Sequence, residues 1–381
     1  MRYRFNEETE MTREVIRDFA ARELAPLARA RDEQGKIEPA VFRQMAQLGL
    51  AGIPVEESRG GAGGDIATFA VVLEELSAVC ASSAAMLAAH TGFVLWPLQK
   101  AIAASGSEHP LHRLLKELAS GKKLGGFATG ACSQVHELQA QPLGDGGYRL
   151  NGRLPIAVNG EDADVILLFA SDTGKKPTSR RRLAAYLVEK GTPGLEVEPL
   201  PRKLGLRGLS TVSLQFKDCL IPHEQRLVPH GRAIMESVIN IGCMGAAAQS
   251  VGIAQGALQA AVAYAKERRQ FGKPISKQQG VSFKLADMAT RVDAARLLLY
   301  KAAWRMDLGA DARKAAAIAR KMSASLAVSV ALDAVQLFGG YGYMREYGVE
   351  RLARDAKCVE SDFGTGGMAV PIESRILSGM D

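Results

Sequence analysis

Several features that would make a function easy to read are missing from this sequence. Its five cysteines (Cys80, Cys132, Cys219, Cys243 and Cys358) are scattered, odd in number and include no CxxC pair. That excludes a zinc ribbon and a disulfide scaffold and fits reduced thiols. None of the six histidines, His90, His109, His112, His136, His223 and His230, has the paired helical spacing of a zinc protease, so no metal is expected. No Gly-x-Ser-x-Gly elbow marks an α/β-hydrolase. Unbroken apolar runs are missing too: none approaches the ~20 residues that cross a bilayer, so no membrane span is expected. The opening stretch "MRYRFNEETEMTREVIRDF" is too charged for a signal peptide, and a cytoplasmic location is the expectation. The formal net charge of +7 is mostly interleaved with acids, which argues against a nucleic-acid partner. The one dense basic run is "GKKPTSRRR", with Lys175, Lys176, Arg180, Arg181 and Arg182. It reads as a solvated hairpin tip, and help in gathering an anionic ligand is the alternative.

What is present is organised in three textures. At 381 residues and 47% apolar content the chain can bury two or three cores. Residues 1–121 carry helical periodicity, in "REVIRDFAARELAPLARARDE" (divided or kinked at Pro26), "FRQMAQLGLAGI" and "DIATFAVVLEELSAV". Residues 122–230 hold short strand-like runs between turn residues, such as "ADVILLFAS", "RLAAYLVEK" and "VSLQFKDCLI". Residues 231–381 return to long helices, where Leu285, Met288, Val292, Ala295 and Leu299 recur at bundle spacing. The expected fold is α+β and multidomain: an N-terminal helical domain, a middle antiparallel β-barrel or sandwich, and a C-terminal four-helix bundle. The glycine clusters "GGAGGD" and "FGGYGY" lack the Lys-Ser/Thr of a P-loop and the strand–turn–helix setting of a Rossmann site. Any anion contact there would have to come from backbone N–H groups at a helix end.

Two segments of the last third are specific together. "YAKERRQFGKPISKQQGVSFKLADMATRVDAAR" and "QLFGGYGYMREYGVERLARDAK" closely resemble the C-terminal bundle of the acyl-CoA dehydrogenases. "KLGLRGLSTVSLQFKDCLIP" resembles that family's closing β strand, and "VFRQMAQLGLAGIPVEESRGGAGG" its N-terminal helices. The resemblance spans nearly the whole chain. It implies an acyl-CoA substrate and FAD held between subunits of a dimer of dimers or of a heteromer. It also implies an electron-transferring flavoprotein as electron acceptor. Arg268, Phe271, Gln279, Gln336 and Gly340 match the residues that reach a neighbouring subunit's FAD. An Arg offers charge-assisted donors to a pyrophosphate, and a Gly lets backbone approach it closely. Phe127, Thr129, Val158 and Thr365 fall where relatives meet their own flavin.

The matches thin out at the chemistry. Many relatives follow "RDAK" with four residues and then Tyr-Glu-Gly-Thr, whose Glu removes the thioester α-proton. Counting from Arg354 puts Asp362 at the Tyr and Phe363 at the Glu, with Thr365 kept. The other usual base position, on the preceding long helix, falls on Gly242. The family's Trp-Ile-Thr-Asn becomes Ile156-Ala157-Val158-Asn159, and Val158 cannot make the threonine's hydrogen bond to flavin, a loss of ~1 kcal/mol. "TGACSQ" is shortened relative to the family pattern, and a substrate-contacting Arg becomes Cys243. Three functions follow. The first is α,β-dehydrogenation of an acyl-CoA with a displaced base, Asp362 before Glu360. The second is a partner subunit that completes the FAD site of a heteromer. The third is a non-redox lyase or desulfinase on the same scaffold.

Overall fold

In a computed structural model of the chain, residues 5–105, 110–129, 137–144, 146–173, 182–227, 231–361 and 378 are described. Helix α1 (Glu7–Phe19) starts at Asn6, whose Oδ1 accepts from the Thr9 N–H at 2.8 Å. A π-helical turn (Ala20–Leu24) leads to α2 (Ala25–Gln34), which has Pro26 in its first turn, where a missing N–H is harmless. Pro26 therefore divides the helical run by opening a new helix. Helices α3 (Pro39–Gln47), α4 (Ile66–Val79) and α5 (Ala81–Ala88) follow, and a second π-helical stretch spans Ala89–Leu95. Helices α6 (Trp96–Ser105) and α7 (His112–Ala119) complete this part. "GGAGGD" ends in the N-cap of α4: Asp65 Oδ1 accepts from the Thr68 N–H at 2.7 Å.

The middle strands are β1 (Gly125–Thr129), β2 (Leu138–Pro142), β3 (Tyr148–Val158), β4 (Val165–Asp172), β5 (Arg182–Glu189), β6 (Leu195–Pro199), β7 (Thr211–Ile221) and β8 (Arg226–Leu227). They pair in the order β6-β7-β3-β1-β4-β5-β8, with β2 against β3 and β4. The sheet is not antiparallel throughout, as the sequence suggested, because β1 and β2 run parallel to β4. Strands β3 and β4 run in opposite directions, so β1, inserted between them, can oppose only one. Alternation splits the side chains between two cores. Phe127, Val158, Leu167 and Phe169 join the helices, while Ala128, Ile166, Leu168 and Tyr186 fill a second core within the β layer. β4 and β5 are antiparallel neighbours ending at the pair Asp172↔Arg182. The basic run between them lies, but for the Arg182 backbone, outside the described residues.

The C-terminal part contains α8 (Gly231–Glu267), a two-stranded turn of β9 (Arg269–Gln270) and β10 (Lys273–Pro274), then α9 (Gln279–Asp307), α10 (Arg313–Phe338) and α11 (Val349–Glu360). The predicted stripe is the inner face of α9: Met288, Val292, Ala295 and Leu299 are buried, and Leu285 packs against them. α8 and α10 are long and apolar enough, by length and composition, to cross a membrane, contrary to the expectation that no run comes near this. Alanine and glycine spread through these helices raise their hydropathy without a conspicuous run. The apolar window of α8 is 83% buried and touches α4, α5, α9, α10 and α11, as the central helix of a folded body. The four described cysteines, Cys80, Cys219, Cys243 and Cys358, are buried, and none of them forms a disulfide.

Three polar clamps join these parts. Glu74 on α4 accepts from Arg296 at 2.7 Å and from the Tyr300 hydroxyl, both on α9. Arg354 on α11 reaches Asp32 on α2 at 2.6 Å and also pairs with Glu350. Asp307, at the end of α9, accepts from the Ile66 and Ala67 N–H groups at 2.7 and 3.1 Å. Burial pushes its carboxyl up from 3.8 to about 6 despite those donors, and Asp65 adds to the rise. A carboxyl that holds its proton more tightly when folded contributes stability fully present below pH 4 and lost as pH rises through 6. Chemical denaturation at several pH values should therefore show wild type losing stability relative to Asp307→Asn across that window. A pH-independent difference would contradict the clamp's protonation.

Candidate functional site

An apolar cavity of about 60 Å³ lies where the N-terminal helices, the sheet, α8 and α11 meet. Phe69 of α4 forms one wall, and Ala85, Ala88, Ala89 and Phe93 of α5 and its π-helical continuation form the next. Val158 closes it from the end of β3, and Leu206 and Leu209 close it from the loop before β7. From α8 come Ile241, Gly242, Gly245, Ala246 and Gln249, a spacing that keeps them on one helix face. Three of those five are Gly or Ala, which is what leaves the space open. Cys358 and Val359 of α11 complete the lining.

The lining chemistry is nearly all hydrocarbon. Among the described residues no Asp, Glu, Lys or Arg lines the cavity, and Gln249 is its one carboxamide. Burial pushes the Cys358 thiol up to about 12, so it faces the cavity as a neutral thiol. Behind this wall, Asp355 accepts from the Leu206 N–H at 2.7 Å and lies 3.6 Å from Arg351. Burial holds its carboxyl up at about 6. Lys203 donates to the Leu209 carbonyl and, at 2.9 Å, to Thr211 Oγ1, with burial bringing its pKa down to about 8. These contacts lock the loop that carries Leu206 and Leu209 to α11.

A second, open site of about 570 Å³ lies at the far end of α8. Tyr264 and Arg268 line it, with Phe271 from the turn, Gln278 at the start of α9, Gln336 from the last turn of α10, and Gly340 and Tyr341 after it. The Arg268 guanidinium sits 5.5 Å above the Tyr341 ring. Phe271, with a left-handed φ of 51°, is 92% exposed. A Cβ added at Gly340 would meet nothing within 4 Å, so backbone there is open to an approaching ligand. A cation, a carboxamide, bare backbone and two exposed rings fit a nucleotide diphosphate. From Gln249 to Tyr264, the nearest lining residues of the two sites on α8, the helix rises roughly 22 Å, so the two sites are separate along one chain.

The residues singled out in the sequence distribute over both sites. Arg268, Phe271, Gln336 and Gly340 line the open cleft. Gln279 opens α9 as an exposed residue, and its neighbour Gln278 is the one in the lining. Val158 lines the cavity, and Phe127 lies behind it, with its ring centroid 5.0 Å from that of Phe93. Thr129 is buried at the end of β1, paired in register with Ile156. Glu360 is bound to Lys357 at 2.6 Å and does not line the cavity. Asp362, Phe363 and Thr365 lie outside the described residues. Gly242, reached by counting along the sequence, does line the cavity. Phe69, Phe93, Ile241 and Gln249 went unnoticed, because a helix face turned to a cavity has the same periodicity as one turned to the core.

Comparison with known proteins covers this whole arrangement. Three family descriptions match in order: "Acyl-CoA dehydrogenase, N-terminal domain" over residues 6–122, "middle domain" over 129–219 and "C-terminal domain" over 230–375. The chain is 40% identical over 379 residues to an acyl-CoA dehydrogenase of Bacillus subtilis, covering 98% of each protein. Its fold is similar to butyryl-CoA dehydrogenase from Megasphaera elsdenii, with a TM-score of 0.92, 34% identity and coverage of 100% of this chain and 99% of the other. It is also similar to the FAD complex of PigA, with a TM-score of 0.89, 28% identity and coverage of 100% and 99%.

Proposed function

The chain belongs to the acyl-CoA dehydrogenase family, and we propose that it is an oxidoreductase of CH–CH bonds that α,β-dehydrogenates a coenzyme A thioester with a short, uncharged acyl group. The small cavity, lined by no charged side chain among the described residues, carries this reading: an acyl carboxylate or ammonium would meet no partner in that lining, at a cost of several kcal/mol. Similarity to butyryl-CoA dehydrogenase supports the short chain. FAD fits the open cleft, where Arg268 and Gln336 would hold the diphosphate, Gly340 would let backbone approach it, and Phe271 and Tyr341 would present rings to the adenine. With cavity and cleft at separate places along α8, the cleft is read as serving the flavin of a second copy, in a dimer of dimers. When bound, FAD supplies the two-electron acceptor, and an electron-transferring flavoprotein is the onward acceptor.

The chain's own residues have two tasks. The apolar walls exclude water and align Cα and Cβ of the acyl group. The α-proton then needs an acceptor, and neither usual position supplies one: Gly242 stands at the first and Phe363 at the second. We assign the α-proton to the Asp362 carboxylate, beside the second position. Incubating the purified chain with butyryl-CoA and an artificial electron acceptor should yield a thioester lighter by two hydrogens in mass spectrometry. An intact open cleft, together with a cavity lined by no carboxylate among the described residues, also supports a second reading, a subunit that completes the FAD site of a homologous chain. Product formed only after co-expression with such a chain would favour that reading.

A further inference from the structure

A chain of buried hydrogen bonds ties the two walls of the acyl cavity together, and it passes through two residues outside the cavity's lining. Asn159 directly follows Val158, the cavity residue of β3. Its Nδ2 donates to the Met86 carbonyl of α5 and to the Gly125 carbonyl of β1, both at 3.0 Å. The Gly125 N–H donates to His90 Nδ1 at 2.8 Å, and His90 Nε2 lies 3.1 Å from the Leu118 carbonyl. With Nδ1 accepting, the ring proton sits on Nε2 and is donated to Leu118. Burial lowers the imidazole pKa to about 4, so the ring is neutral and this polarity is fixed at neutral pH.

Three features show that this arrangement is costly. Asn159 has a left-handed φ of 57°, unfavourable for a residue with a Cβ, and its buried Oδ1 accepts no hydrogen bond among the described residues. His90 lies in the π-helical stretch Ala89–Leu95, whose wider turn joins Ala88 and Ala89 to Phe93 along the cavity wall. π-Helical turns are rare and concentrate at functional sites. Strained backbone, an unmet acceptor and a wide turn all meet at one wall-to-wall connection.

We propose that Asn159 and His90 are a positioning pair that fixes the separation between the β3 wall and the α5 wall, and so sets the acyl size the cavity accepts. Asn159 holds α5 to β1 beside Val158. His90 holds β1 to the π-helical turn. Without either bond the walls at Val158 and at Ala88 and Phe93 are free to part, and longer acyl groups enter.

The inference rests on reading the cavity as an acyl pocket, so the test uses binding and two ligand series. Dissociation constants are measured by calorimetry on the full chain, for saturated thioesters from butyryl- to octanoyl-CoA and for the n-alcohols of the same lengths. Asn159→Ala and His90→Leu should each move the preference towards the longer ligands by ~10-fold or more, as a changed fit of a few methylenes does. His90→Gln, which retains a donor and an acceptor, should restore the wild-type ratio. Arg226→Ala removes bonds to Tyr148 and Asp172 in the β layer, and should lower Tm without moving the ratio. If Asn159→Ala does not fold, the His90 pair decides. A wild-type ratio in the His90→Leu variant, with only Tm reduced, would overturn the proposal. Binding of alcohols but of no thioester would remove the acyl-CoA reading while the alcohol ratios still test the pair. Binding of neither series would overturn both.

Discussion

Replacing Gly242 with glutamate is expected to speed anaerobic flavin reduction by butyryl-CoA by ~10²-fold, what a base in register gains over the displaced Asp362. Gly242 lies on the cavity face of α8, between Ile241 and Gly245. A carboxylate introduced there would sit in an apolar wall, where burial raises its pKa and makes it a better proton acceptor. It would also take up part of a cavity of only about 60 Å³, so KM should rise as kcat rises. Gly242→Gln has the same bulk without the basic oxygen and should raise KM alone. The gain would be read by stopped-flow absorbance of the flavin. Equal behaviour of the Glu and Gln variants would mean that the substrate Cα does not lie against α8.

The second large effect is expected at the opposite end of the same helix. Arg268→Ala should weaken FAD binding by ~10–100-fold, the worth of hydrogen bonds from a charged donor. Arg268 makes no ion pair among the described residues and faces an open cleft above Tyr341, so its charge is available to an anion. Arg268→Lys should fall between wild type and Ala, because an ammonium keeps the charge and loses the paired geometry. Fluorescence titration of the apo-oligomer measures both. If the cleft serves a neighbouring chain, mixing Arg268→Ala subunits with cavity-defective subunits should leave part of the FAD bound tightly. Full wild-type affinity in Arg268→Ala would place the diphosphate elsewhere.

The helical, β, helical order was legible because Met288, Val292, Ala295 and Leu299, or Phe127 with Phe169, occupy positions whose period alone tells helix from strand. The direction of β1 was not legible, because parallel and antiparallel neighbours demand the same buried alternation. The residues of the open cleft were legible in "RRQFG" and "QLFGG" through their match to a family pattern, not through any local periodicity. The cavity was only half legible. Gly242 and Val158 stood out against a family pattern, whereas Phe69, Phe93 and Gln249 sit among apolar helix positions that look like core. Asn159 was visible as a retained residue, but its reach to Met86 and Gly125 joins segments 73 and 34 positions away, which no local pattern encodes.

The central claim is that this cavity presents an acyl thioester to a flavin. Anaerobic titration of the purified FAD-loaded oligomer with butyryl-CoA, followed by visible absorbance, tests it most directly. Slow but complete bleaching of the flavin band is the expected result, faster in Gly242→Glu. A band that stays fully oxidised in both proteins, although butyryl-CoA is bound, would contradict it.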